Sequence, residues 1–220
     1  MVTKQKNGRG RPRKFDVDKA IAQAMDLFWR YGYDGIGVAE LSKTMGITAP
    51  SLYSAFGSKR QLFEQVLERY TQTQGGWISD ALDQEEALEQ AIANLFLKAA
   101  EVYATDPERP GCLVIDGTRN CGDEAAKALT TAVRQATRKL IRDRIATGVP
   151  KLASAQVEAL ADYVVMILVG LSGSARDGAS PSTLQASANI AAAVFLQQDF
   201  LEQCFLQQDF LQQNFHKDKQ

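Results

Sequence analysis

The side chains able to do covalent or metal chemistry are few. The one histidine, His216, stands four residues from the end of the 220-residue sequence. No Ser-His-Asp or Cys-His set and no HExxH zinc helix can therefore be assembled. No GxxxxGKS/T or GxGxxG run offers a nucleotide cradle. The carboxylate pairs Glu85–Glu86 and Asp123–Glu124 fall where helices begin, and the helix dipole accounts for them without catalysis. Cys112, Cys121 and Cys204 make neither a CxxC pair nor a disulfide framework, the usage expected in a reducing cytoplasm. A copper or zinc site from Cys112, Cys121 and Met166 lacks a supporting histidine, and its ligands lie far apart in sequence. These residues predict no enzyme, no metal and no cofactor.

Charge points to a binding chemistry instead. The formal charge of −1 hides an asymmetry: residues 1–60 carry 11 Lys and Arg against 5 Asp and Glu, and the remainder carries 14 against 21. A basic head on an acidic body suits a polyanion partner at the head alone. The bland alternative is a solvated surface with uneven charge. Apolar residues at 45% and charged residues at 23% fit a globular chain of one or two domains. No apolar run is expected to reach the roughly 18–20 residues of a membrane span. The basic, polar start predicts no secretory signal.

The elements that would position this chemistry read as all-α. Residues 1–14, MVTKQKNGRGRPRK, form a basic, Gly-rich arm expected to be disordered until bound. Asp16 caps a first helix carrying Val17, Ile21, Ala24, Phe28 and Tyr31 at helical spacing. Short helices at about 38–45 and 49–55 follow around Gly46. Ser58 caps a longer helix with Leu62, Phe63, Val66, Leu67 and Tyr70 on one side. Beyond Gly75-Gly76 the body is wholly helical. One stripe runs through Leu88, Ile92, Leu95, Phe96, Ala99 and Tyr103. PGCLVIDGT at 110–118 makes a short helix, although a strand would fit its brief apolar run. Leu129, Ala132, Val133, Ala136, Leu140, Ile141 and Ile145 mark another helix. The helix at 154–176 is apolar nearly all round and must be covered on several sides. A last one runs from Pro181 past Val194. In the tail, FLQQDFLEQC at 195–204 returns as FLQQDFLQQN at 205–214. Its phenylalanines recur every five residues and so spiral around a helix, as either a frayed duplicated end or a surface for a partner subunit.

Residues 37–56 carry the site. Leu41 and Met45 supply the underside of one short helix, and Gly46 sits where a turn needs φ > 0. Thr48 caps the next helix, Pro50 is tolerated in its first turn, and Ile47 and Leu52 anchor it. This is the plan of a helix-turn-helix that docks in the major groove of DNA. Thr48, Ala49, Ser51 and Tyr53 are left facing outward, where they suit base edges and phosphates, and sequence preference is expected chiefly from Thr48, Ala49, Ser51 and Leu52.

With its surroundings, LFWRYGYDGIGVAELSKTMGITAPSLYSAFGSKRQLF, the segment resembles the TetR/AcrR family of transcription regulators. The shared pattern is an aromatic residue four positions before Gly32-Tyr33, the turn glycine, then Leu52-Tyr53-x-x-Phe56-x-x-Lys59. The resemblance is strong over about residues 16–63. It implies a three-helix DNA-binding head (15–60), a helical ligand-binding and dimerisation body (61–204) and a tail (205–220). It also implies a homodimer through the helices at about 154–176 and 181–204, with Tyr53, Lys59 and the helix start at Gly37-Val38 on phosphates. One departure is Gly37, where the family has a Ser or Thr cap, so a hydroxyl contact to phosphate is missing. Arg9, Arg11 and Arg13 resemble an AT-hook arm entering the minor groove; a plain phosphate-sliding arm is the equal alternative.

The implied function is a repressor on a palindromic double-stranded operator, released by a small-molecule or electrophile effector whose identity composition does not give. The rival is a ligand-independent DNA-binding protein or activator. Trp77, Phe96, Tyr103 and Met166 either line an effector pocket or form core. Cys112, at the start of the short helix, would have its thiol pKa lowered by the dipole and act as a sensor, with Cys121 as its partner. Otherwise it is an apolar filler. PGCLVIDGT and GLSGSARDGAS (170–180) look like one branch of the family.

Overall fold

The computed structural model describes residues 16–83 and 87–197. The basic arm with Arg9, Arg11 and Arg13, the Glu85–Glu86 pair, Cys204, His216 and the repeated tail past Gln197 lie outside those residues. Every regular element among the described residues is an α-helix. In order they are α1 (Val17–Tyr31), α2 (Val38–Met45), α3 (Ala49–Phe56), α4 (Lys59–Thr73) and α5 (Trp77–Asp83). The chain continues through α6 (Leu88–Ala104), α7 (Leu113–Asp116), α8 (Glu124–Gly148), α9 (Ser154–Arg176) and α10 (Pro181–Leu196).

Side-chain caps start five of these helices. Asp16, Thr48, Ser58, Asp123 and Ser180 each accept a backbone N–H of the following first turn, satisfying donors the helix itself cannot. In the head, Phe28 of α1 meets Phe63 of α4 edge-on at 4.9 Å, and the Tyr33 ring lies 5.0 Å from Phe63. The α1 stripe needs one correction. Tyr31, counted in the apolar face, is 53% exposed, whereas Leu27 and Trp29 are buried with Ala20, Ala24, Met25 and Phe28. Trp29 is covered because the body reaches it: Tyr70 packs edge-on at 4.9 Å and the Arg109 guanidinium stacks 5.5 Å away.

In the body, α10 lies along α6, and α9 packs against α8, α6 and α10. Ala188, Ala191 and Ala192 on α10 and Ala91, Ala99 and Ala100 on α6 are buried, and such small side chains let backbones approach. The α8 stripe is buried only in part: Ile141 and Ile145 are core, whereas Ala132, Ala136 and Leu140 stay exposed. α9 is by length and composition apolar enough to cross a membrane, which corrects the expectation that no segment reaches that length. Here, however, it packs among other helices, and its Glu158 and Asp162 each pair with Arg138 of α8 at 2.6 Å.

The short segment before α8 is pinned by buried polar groups. Ser172 Oγ accepts the Cys112 N–H at 2.8 Å and donates to Asp116 Oδ2 at 2.7 Å. Arg119 Nη2 lies 3.0 Å from the other Asp116 oxygen. Gly111 adopts φ +74°, and a Cβ there would stand 2.8 Å from both Asp116 Oδ2 and the Ser172 carbonyl. Gly111→Ala is therefore expected to lower stability by more than about 1 kcal/mol, through left-handed strain and displacement of this contact. Urea unfolding followed by circular dichroism measures it, and an unchanged midpoint would refute the close approach.

Candidate nucleic-acid interface and body cavity

The turn between α2 and α3 is built as its residues require. Gly46 is left-handed (φ 66°, ψ 30°), and the Gly46 and Ile47 N–H groups close onto Lys43 and Ser42 carbonyls. Thr48 Oγ1 accepts the Ser51 N–H at 3.3 Å and lies 2.9 Å from Ser51 Oγ. Beneath, Leu41, Met45, Leu52 and Phe56 are buried. Above, Thr48, Pro50, Ser51, Tyr53 and Ser54 are exposed and Ala49 is half-buried. Leu52 is fully buried, so the expectation that it reads bases is overturned. A side chain cannot both anchor the helix underside and reach a groove edge. Pro50 and Ser54 join the outward surface of α3, where helical spacing from Ser51 and Tyr53 was the signal that could have found them, and Lys43 and Thr44 at the end of α2 are exposed as well.

Gly37 caps α2 with extended backbone (φ −93°, ψ 163°) and no side-chain acceptor, and nothing lies within 4 Å of where its Cβ would be. The first-turn N–H groups of α2 thus have no side-chain cap. Lys59 opens α4, its Nζ 4.2 Å from the centre of the Tyr33 ring. Burial lowers its pKa. Arg60 beside it is exposed.

The head is tied to the body at its back. The Tyr33 N–H donates to the Gly117 carbonyl at 2.7 Å, and the Gly122 N–H to Asp34 Oδ2 at 2.6 Å. The Tyr33 hydroxyl donates to Asp123 Oδ2 at 3.1 Å, and burial together with that bond pushes the phenol pKa up to about 12. Arg176, at the end of α9, donates to the Trp29 and Arg30 carbonyls at 2.8 and 3.0 Å. Arg30 pairs with Glu108. Sequence reading noted the runs at 110–118 and 170–180 but assigned none of these contacts.

A cavity of about 370 Å³ lies in the body between α4, α5, α6, α7, α8 and α9. Of the candidate effector residues, Trp77, Tyr103 and Cys112 line it. Phe96 does not: it is core, edge-on to Phe195 at 5.8 Å. Met166 is 62% exposed on α9. Cys112 and Cys121 occupy different settings. The Cys112 thiol accepts the Tyr70 hydroxyl at 3.3 Å, whereas Cys121 sits in the link to α8, its sulfur accepting the Asp123 N–H at 3.4 Å. The expected lowering of the Cys112 pKa is reversed. Burial raises it, outweighing the opposing pull of the Tyr70 hydroxyl and of the Ile115 and Val114 N–H groups. A four-residue helix supplies too little dipole to compensate.

Residues 20–66 match the family described as "Bacterial regulatory proteins, tetR family". The chain is 35% identical over 192 residues to the transcriptional repressor BdcR of Escherichia coli K12, spanning 87% of this chain and 95% of that protein. It is 33% identical over 183 residues to ComR of the same bacterium, spanning 80% and 86%. A cysteine mutant of the regulator CifR, solved with 26-base-pair operator DNA, superposes with a TM-score of 0.75 at 34% identity, covering 83% of this chain and 98% of that one.

Two substitutions separate underside from surface. Leu52→Ala should cost about 2–5 kcal/mol of stability, as for a filled core position. Gly37→Ser should add a few tenths of a kcal/mol through the missing cap. Thermal and urea unfolding check both, and a Leu52→Ala protein as stable as the parent would return that side chain to the surface.

Proposed function

This chain belongs to the TetR family of bacterial regulatory proteins, and on that premise we propose that it is a homodimeric repressor that grips a palindromic operator and releases it when a small effector enters the body. The observation that carries the reading is the outward row of α3, Thr48, Pro50, Ser51, Tyr53 and Ser54, held over an underside of buried Leu41, Met45, Leu52 and Phe56. Thr48, Ala49 and Ser51 read base edges in the major groove. Tyr53, Lys59 and the uncapped α2 start at Gly37 and Val38 hold phosphates. Arg9, Arg11 and Arg13 extend the contact along the backbone or into the minor groove. The head of 15–60 and the body of 61–204 are the working units, with α4 (Lys59–Thr73) crossing between them as a shaft.

The second subunit covers the open face of α9 and α10. Met166 (62% exposed) and Ile190 (69% exposed) stand there beside the small exposed residues Gly170, Ser174, Ala186 and Ala193. An apolar face flanked by small side chains suits helix-on-helix contact. Dimerisation sets two α3 helices about one DNA turn, ~34 Å, or a little more apart.

Release runs through α7. Cys112, Val114 and Ile115 line the cavity, and the next turn presents the Gly117 carbonyl to the Tyr33 N–H at 2.7 Å. An effector that displaces α7 thereby moves the connector from α1 to α2 and depopulates the operator-fitting geometry. The cavity and the neutral, buried Cys112 favour non-covalent binding over a thiolate switch. Cys112 lines the cavity, so an electrophile that enters it meets this side chain.

Two outcomes are expected. Operator binding by fluorescence anisotropy should fall for Tyr53→Ala and Lys59→Gln to a similar degree on cognate and scrambled DNA. A selective change in preferred bases would contradict the phosphate roles. Ile190→Glu should convert the dimer to monomer in sedimentation and lower operator affinity in parallel; a dimer that persists would place the interface elsewhere.

A further inference from the structure

The cavity wall contains a cation with no anion. Arg134 of α8 is half-buried, and its guanidinium makes three hydrogen bonds to uncharged oxygens: the Val114 carbonyl at 2.9 Å, Thr130 Oγ1 at 3.1 Å and Thr131 Oγ1 at 2.8 Å. No ion pair to a carboxylate is formed by Arg134 among the described residues, although the neighbouring Arg138 and Arg142 of the same helix each have two. A guanidinium has five N–H donors, so two remain after these bonds. No Asp or Glu lines the cavity among the described residues. The rest of its wall is mainly apolar, including Trp77, Ile78, Val133, Leu140 and Leu168.

A positive charge in an apolar wall is costly unless it meets an opposite charge. We infer that the effector is a small apolar carboxylic acid, its carboxylate paired with Arg134 and its hydrocarbon part filling the cavity. The guanidinium suits the planar carboxylate. A phosphate monoester would bring nearly two charges against a single cation and leave one uncompensated in apolar surroundings. A volume of 370 Å³ lies at the small end of the roughly 300–1,000 Å³ common for ligand pockets, which selects a medium-length or single-ring acid. The inference rests on the reading of this cavity as the effector site. It also adds to the α7 route, because Arg134 grips the Val114 carbonyl and a carboxylate drawing on the guanidinium pulls at α7 directly.

Calorimetric titration of the full chain with octanoate, 1-octanol, octylamine and octyl phosphate tests the ligand class, and anisotropy of labelled operator tests release. Octanoate is expected to bind at least about tenfold more tightly than 1-octanol, with octylamine weakest. In Arg134→Gln that preference should disappear and in Arg134→Lys part of it should remain, release being read for each variant against its own ligand-free operator affinity. Circular dichroism confirms that both variants fold. Equal binding of octanoate and 1-octanol, a preference for octyl phosphate, or no binding by any of the four overturns the carboxylate assignment. Arg134-dependent octanoate binding that leaves operator affinity unchanged keeps the site but removes its role in release.

Discussion

The structure turns on the close approach of the 110–118 segment to α9. Gly111 has no Cβ, so the backbone can lie against Ser172 and Asp116, and Ser172 Oγ joins the Cys112 N–H to the Asp116 carboxylate. Without that contact α7 would be a loose turn. With it, α7 is a rigid piece whose one side is cavity wall and whose end holds the head at the Tyr33 N–H. The same α9 continues to Arg176, which holds the end of α1 through the Trp29 and Arg30 carbonyls. Cavity, head and the open α9–α10 face are therefore all referred to one buried polar cluster. Polar groups in such a place are costly to leave unpaired and so specify a single arrangement.

Much of this was legible in the sequence, for reasons that are local. Helix starts are written in caps such as Asp16, Thr48 and Ser58, and the turn in Gly46, because the chemistry that satisfies a first turn involves residues only a few positions apart. The underside of the helix-turn-helix follows from helical spacing in the same way. What spacing leaves open is which of two neighbouring apolar faces meets another helix. Tyr31 and Trp29 exchange places from the expected stripe because Arg109 and Tyr70, far away in sequence, cover Trp29. Leu52 was assigned two incompatible jobs, and burial decides between them.

The site in the body was the least legible part. Trp77, Tyr103 and Cys112 meet at the cavity, but Phe96 and Met166 have the same composition-level appeal and lie in the core and on the outer face. Aromatic and sulfur side chains at helical spacing say only that a helix has an apolar side. Arg134 drew no notice because one arginine on a charged helix is unremarkable until its neighbours are known. Its isolation becomes visible only against Arg138 and Arg142, which reach Glu158 and Asp162 of α9. The Cys112 pKa shows the same limit: position at a helix start argues one direction and burial the other, and burial is a tertiary quantity.

An effector can shift the head only by the difference between its affinities for the two arrangements of the body. A purely apolar ligand in a preformed apolar cavity gains about as much in either arrangement, so size alone makes a poor switch. A charged contact is sharper, because its strength depends steeply on distance and alignment. Arg134 is bonded to the Val114 carbonyl, and Val114 lies in α7, whose Gly117 end holds Tyr33. Two bonds thus separate the Arg134 cation of the cavity wall from the connector between α1 and α2. A ligand acting at that cation couples to the DNA-reading helices through hydrogen bonds, whereas one acting at the Trp77 side must act through softer apolar packing.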